Sequence, residues 1–191
     1  MENKIYILMN KPRGYVCSAV SDSHKTVYEL LSEDLQKMVQ GEKRGNRLHS
    51  VGRLDCDTSG LLLLTNDGYF SDYMTRSANQ IEKVYEVELR DYVSTEMQIK
   101  YENELKKGIS LPPEKKSLEQ KALPANVKFI FENDNLCSKK CLITVHEGLF
   151  HLVRRMFLAL GNKVESLKRI SMGKYNLPSD LMEGSYLFFE L

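Results

Sequence analysis

No apolar run in this chain approaches the roughly 20 residues that a membrane-spanning helix needs. No leader is expected, because Met1 to Lys4 runs into a strand-like Ile5-Tyr6-Ile7-Leu8-Met9 and then Asn10-Lys11-Pro12. Cysteine is scarce: four among 191 residues, at 17, 56, 137 and 141, with no Cys-x-x-Cys pair. That excludes a disulfide scaffold and leads us to expect reduced thiols in a cytoplasmic protein. The four histidines, at 24, 49, 146 and 151, are scattered without ligand spacing, so no metal is expected. Internal repeats and low-complexity tracts are also missing, which excludes solenoids and repeat arrays.

What is present is globular in character, with 42% hydrophobic and 28% charged residues. A chain of this length suits one domain, 1–191, of two lobes, and can bury roughly 70% of its unfolded surface. The net charge of +1 conceals an asymmetry. Residues 136–175 carry eight Lys or Arg against two acids, whereas 1–135 carry 19 against 21 and the last sixteen residues add only three acids. A local basic zone on a near-neutral protein fits either a focused polyanion contact or a solvated charged face.

Periodicity supplies a coarse set of elements. Ile5–Met9 reads as a strand, Lys11-Pro12-Arg13-Gly14 as a turn, and Thr26 to Met38 as one helix. A polar loop follows at Gly41–Asn46. Phe70 to Arg76 reads as a short helix, Val84–Leu89 as a half-buried strand, and Thr95 to Lys106 as an amphipathic helix closed by Gly108. Pro112 to Pro124, rich in Lys, Glu and Pro, is the most linker-like segment and is expected as an exposed loop. Val127–Phe131 and Cys141–His146 read as antiparallel strands around Asn133-Asp134-Asn135. His151–Leu160 is a helix stopped by Gly161, and Val164–Leu167 and Tyr186–Phe189 are strands. Without a regular βαβ alternation, the fold class is α+β with a largely antiparallel central sheet flanked by helices.

The most informative stretch is Val51-Gly-Arg-Leu-Asp-Cys-Asp-Thr-Ser-Gly-Leu-Leu-Leu-Leu-Thr-Asn-Asp-Gly68. A polar, turn-forming segment feeds into four leucines that read as a buried strand, ended by a turn at Asn66-Asp67-Gly68. Arg53, Asp55, Asp57, Thr58 and Ser59 therefore sit on a short loop braced by a rigid element, a common way to hold functional groups. Asp55 and Asp57, two apart in an extended loop, point to opposite sides and do not share a proton. One is expected to be functional and the other structural, with Asp57 suited to local backbone bonding. Arg53 has the reach to pair with Asp55 or with a phosphate. Asp-Thr-Ser-Gly is also reminiscent of aspartic proteases, but those need a second aspartate of the kind, which this chain lacks. No nucleophile–base pair supports a hydrolase.

Two further blocks carry chemistry-bearing residues. In Glu82-Lys83-Val84-Tyr85-Glu86-Val87, Tyr85 has the ordinary reading of a strand aromatic packed in the core. Glu147-Gly148-Leu149-Phe150-His151-Leu152-Val153-Arg154-Arg155-Met156-Phe157 reads by spacing as an amphipathic helix, with Val153, Met156, Phe157 and Leu160 inward and the arginines solvated.

Together these blocks resemble the RNA pseudouridine synthases, in particular the RsuA-like branch that modifies ribosomal RNA. Gly-Arg-Leu-Asp-x-x-Thr-Ser-Gly-Leu is similar to that family's catalytic motif, in which the aspartate after Arg-Leu, here Asp55, is the essential carboxylate. Lys83-Val84-Tyr85 resembles its Lys-x-Tyr segment, which implies that Tyr85 packs on the target base and serves proton transfer, with Lys83 near the site or a phosphate. The helix block resembles Glu-Gly-x-x-His-Gln-Val-Arg/Lys-Arg-Met. That resemblance implies that Arg154 pairs with the catalytic aspartate and keeps it ionised, while His151 and Arg155 place RNA. The chain departs from the pattern at Leu152, where the family has Gln.

Asn10-Lys11-Pro12-Arg13-Gly14-Tyr15 and the segment 167–184 resemble the family's opening and closing blocks. The resemblance thus implies isomerisation of uridine to pseudouridine in ribosomal RNA, small-subunit in preference to large-subunit, by a monomer without a cofactor. It also implies that the S4 RNA-binding domain often found in this branch is absent. RNA, free or in an assembly particle, would then be held by Lys11, Arg53, Lys83, His151, Arg155, Lys168 and Arg169. A non-catalytic RNA-binding factor on the same fold is the alternative.

Overall fold

The computed structural model describes residues 4–41, 46–114, 117–131 and 137–191. Most of the polar loop at 41–46, the tip of the 112–124 segment at 115–116, and the turn at 133–135 lie outside the described residues. The chain divides into two compact units, Met1–Asn79 with Arg169–Leu191, and Gln80–Lys168.

In the first unit the four leucines lie within the strand Ser59–Thr65, every residue of which is buried. A strand shielded on both faces needs no polar alternation, so the run of leucines is its natural signature. It pairs antiparallel with Tyr6–Lys11, in a register running from Tyr6 opposite Thr65 to Lys11 opposite Gly60. Tyr6–Lys11 pairs on its other side, again antiparallel, with Tyr186–Phe188. The short strand His49–Ser50 also joins Ser59–Thr65. At the Tyr6 end, Tyr6, Phe70, Tyr175 and Phe189 form an aromatic cluster with ring centroids 4.8–6.3 Å apart.

The single helix expected over Thr26–Met38 is two pieces, a 3₁₀ turn at Val27–Leu30 and an α-helix at Glu33–Val39. Leu31 is extended, with ψ 161°, and Ser32 begins the second piece as its N-cap. Serine favours that position over a helix interior, because its side chain competes for backbone groups. The apolar spacing continued through the break and masked it. The next helix, Gly68–Thr75, starts earlier than the spacing indicated, because the Asp67 carboxylate accepts from the Tyr69 and Phe70 amides.

The second unit is built on Lys83–Val93, Ser138–Val145 and Asn126–Ile130, antiparallel in that order. The helix Thr95–Lys106 spans the residues expected; Ser94 caps its start, and Gly108 follows it at φ +75°. A side chain at Gly108 would also meet the Ala122 carbonyl at 2.5 Å, so only glycine suits the stop. Tyr101, Leu105, Phe129, Ile143, Met156 and Phe157 are among its buried core residues. The helix Leu152–Ala159 contributes Leu152, Val153, Met156 and Phe157 to that core.

The segment 112–124 is not the simple exposed loop its composition suggested. Ser110–Leu111 pairs with Gln120–Lys121, Glu114 and Ser117 bond each other's backbone both ways, and Leu111 and Ala122 are buried. Both units thus mix helices with largely antiparallel strands, the expected α+β class.

Candidate active site

Asp55 belongs to the first unit. Its loop is built round Lys11, a lysine with 0% of its surface exposed. The strand register leaves Lys11 at the end of Tyr6–Lys11, opposite Gly60 and beside the loop that precedes Ser59. Its Nζ donates to the carbonyls of Thr58 at 2.7 Å, Asp55 and Pro12 at 3.1 Å, and Cys56 at 3.4 Å. The Gly14 amide adds a bond to the Cys56 carbonyl, and the Thr58 amide one to that of Asp55. A buried ammonium is tolerable only when such acceptors replace its water. Burial lowers the Lys11 pKa, opposed by the nearby Cys17, Cys56, Asp55 and Asp57.

Below the loop, Cys17 Sγ donates to the Leu54 carbonyl at 3.5 Å and takes the Leu54 amide at 3.4 Å. Burial raises this thiol's pKa, with the Leu54 bond and the Lys11 and Arg169 charges acting the other way, so Cys17 is a structural group. Leu54, Thr58 and Ser59 are buried, Asp55 is half-buried, and Asp57 and Arg53 are exposed. The loop therefore fixes the backbone on both sides of the half-buried Asp55. Asp57, two residues on, is the more solvated of the two.

Lys11 was expected to contact RNA; the structure corrects this, because its ammonium is enclosed and its donors face backbone carbonyls. The missed signal was period two: Lys11 continues the face of Ile7 and Met9, each also 0% exposed. Arg169 takes the same correction. It is 2% exposed and its Nε donates to the Leu61 carbonyl at 2.8 Å, bracing the leucine strand from inside.

The second unit carries the other residues. Tyr85 is half-buried on Lys83–Val93, opposite Ile143 and packed against the core cluster. Lys83 donates from Nζ to the Ile81 carbonyl at 2.9 Å. On the helix, Arg154 is half-buried and donates to the Val164 carbonyl at 3.1 Å. His151 bonds Glu114 Oε1 through Nδ1 at 2.9 Å and stacks on Phe150. Lys168 is half-buried.

Arg155, expected as a solvated RNA contact, is 1% exposed. Its guanidinium donates to the carbonyls of Pro112 at 2.9 Å, Leu118 at 2.9 Å and Phe150 at 3.3 Å, and to Ser117 Oγ at 3.1 Å. Helical spacing held the clue, since Arg155 lies three after Leu152 and one before Met156, on the buried face. Leu152 is itself 6% exposed, so the apolar residue at this position serves as core.

A carboxylate on a clamped loop, at the head of a buried strand in an α+β chain, carries the motifs of a base-modifying enzyme. The model of the RNA pseudouridylate synthase family matches residues 5–159, and the chain belongs to that family. It is an RNA pseudouridine synthase, an isomerase. Among curated relatives, ribosomal small subunit pseudouridine synthase A of Vibrio vulnificus (strain CMCP6) is 37% identical over 98% of this chain and 72% of its own. The protein of that name from Vibrio cholerae serotype O1 (strain ATCC 39315 / El Tor Inaba N16961) is 39% identical over 96% and 69%. A solved pseudouridylate synthase superposes with a TM-score of 0.82 at 36% identity, covering all of this chain and 72% of that one.

Proposed function

We propose that this enzyme isomerises a specific uridine of small-subunit ribosomal RNA, with Asp55 as its catalytic carboxylate. The observation that carries the reading is the Asp55 loop, whose carbonyls are held by the enclosed Lys11 so that the half-buried Asp55 sits on a fixed backbone. The relatives' names, which specify the small ribosomal subunit, support the choice of RNA.

The target base must leave its stack to be reached, as for other enzymes acting on bases. The C1′–N1 bond then breaks, the uracil turns, and C1′–C5 forms as C5 loses its proton to water and N1 takes one up. Asp55 acts at the sugar, either by adding to C1′ or by assisting a glycal route. Tyr85 supports the base and Arg154 supports the carboxylate's charge, in the roles the motifs imply. No redox or group donor is required, because substrate and product are isomers. Arg53, Lys83 and Lys168 supply phosphate contacts, so affinity falls as salt rises.

The test is tritium release from small- and large-subunit rRNA labelled at uridine C5, each offered naked and as a partly assembled particle. Wild type should release tritium from the small-subunit substrate, and Asp55→Ala should lose about 10³-fold or more while still binding RNA. Equal release by Asp55→Ala would overturn the assignment. Release from large-subunit rRNA alone would overturn the choice of substrate.

A further inference from the structure

His151, the residue before the helix Leu152–Ala159, has φ +48° and ψ +31°, the left-handed region. A non-glycine residue there is strained and persists only where its surroundings hold it. Two contacts do so. The imidazole stacks on Phe150 with centroids 3.8 Å apart and planes 17° from parallel, and its Nδ1 lies 2.9 Å from Glu114 Oε1. An ionised carboxylate only accepts, so Nδ1 carries the hydrogen of that bond. The His151 carbonyl takes the Arg155 amide at 2.9 Å, the bond that opens the helix. Arg154 is three residues from this kink, so a change in the His151 backbone turns the helix stretch that bears it.

Glu114 is itself held. Its backbone pairs with Ser117 in both directions, and Arg155 anchors Pro112, Ser117 and Leu118 on either side of it. The hairpin is therefore a strap across the helix start, with a carboxylate at its contact point. We propose that Glu114 is a positioning residue for the reaction: through His151 it fixes the left-handed entry to the helix, and so the direction of the Arg154 guanidinium. This rests on the assignment of Arg154 given above.

The test uses Glu114→Ala, Glu114→Gln, Arg154→Ala and the double variant Glu114→Ala/Arg154→Ala, each measured for kcat and KM in tritium release and for melting temperature. Glu114→Ala should lower kcat about tenfold, as expected for a misdirected group, with KM and melting temperature near wild type. Glu114→Gln keeps an oxygen that accepts from Nδ1 and should recover most of the rate. In the double variant, loss of Glu114 should add less than about twofold to loss of Arg154. Multiplicative losses, a wild-type kcat for Glu114→Ala, or equal damage from Gln and Ala would each overturn the proposal. A wild-type kcat for Arg154→Ala would instead remove its foundation, and that arm tells the two failures apart. A fall in activity that only tracks a fall in melting temperature would also overturn it.

Discussion

Lys11 in one unit and Arg155 in the other meet the same need with different chemistry. Each is a buried cation whose donors end on backbone or hydroxyl oxygens. Lys11 gathers carbonyls of residues 12, 55, 56 and 58 round a single nitrogen. Arg155 spreads its bonds over Nε and both terminal nitrogens and ties residues 112, 117 and 118 to 150. An ammonium is a compact point charge that suits one tight turn, whereas a planar guanidinium suits two separate segments. The difference also separates their consequences. Lys11 shapes the loop that carries Asp55, and Arg155 shapes the strap that meets His151.

The strongest way to break this comparison is Lys11→Met, which keeps length and removes the charge. The Asp55 and Cys56 carbonyls keep bonds from the Thr58 and Gly14 amides, but those of Pro12 and Thr58 lose the Lys11 donor. Stability should fall by about 3 kcal/mol, measured by urea unfolding. Tritium release should fall about 100-fold or more, as expected for a misplaced catalytic group. If Lys11→Met loses stability but keeps its rate, the loop does not need the clamp to present Asp55.

A smaller effect is expected from Arg155→Lys, because a single ammonium cannot satisfy both segments at once. About 2 kcal/mol of stability should be lost. Protease cleavage within 112–124 should rise before global unfolding does, since local opening follows the loss of local bonds. If Arg155→Lys matches wild type in both, the guanidinium geometry is not what holds the hairpin.

These two residues also mark the limit of what the sequence revealed. The Ser59–Thr65 strand and the Thr95–Lys106 helix were legible because their signals are local, an apolar run in one and helical spacing with a glycine stop in the other. The Asp55 loop was legible because turn residues abut that apolar run. Lys11, Arg155 and Arg169 were read as surface cations because charge usually overrides position in such a reading. Their burial depends on carbonyls supplied by residues up to 108 positions away, the Arg169–Leu61 bond being the extreme. The folding of 112–124 was hidden for the same reason, since its Lys, Glu and Pro composition says nothing of an arginine arriving from a later helix. The break at Leu31-Ser32 was legible in principle, as serine is a preferred cap, but the apolar spacing ran through it.

The smallest expected effect lies at the opposite end of the Lys11 strand and asks whether a neutral clamp behaves differently from a charged one. Tyr6 donates from its hydroxyl to Asp67 Oδ2 at 2.8 Å, and Asp67 caps the helix Gly68–Thr75. Burial, the bond to Asp67 and its negative charge push the Tyr6 phenol from 10.0 up to about 12. Burial acts to raise the Asp67 pKa, but the bonds from Tyr6, Phe70 and Tyr69 outweigh it and hold the carboxyl below 3.8. A raised phenol contributes stability that is complete below pH 10 and is lost as pH climbs from 10 towards 12. A depressed carboxyl contributes stability that is present above pH 3.8 and is lost as pH falls below it. Tyr6→Phe removes the titrating phenol and one bond to Asp67, so the melting temperature should fall less steeply above pH 10 than in wild type. Some alkaline slope should persist, because burial also raises the phenols of Tyr28, Tyr101 and Tyr175. The acid limb should flatten as well, since Asp67 loses one of the bonds that favour its ionised form. Parallel profiles for wild type and Tyr6→Phe across both limbs would show that the Tyr6–Asp67 bond does not set the pH dependence of stability.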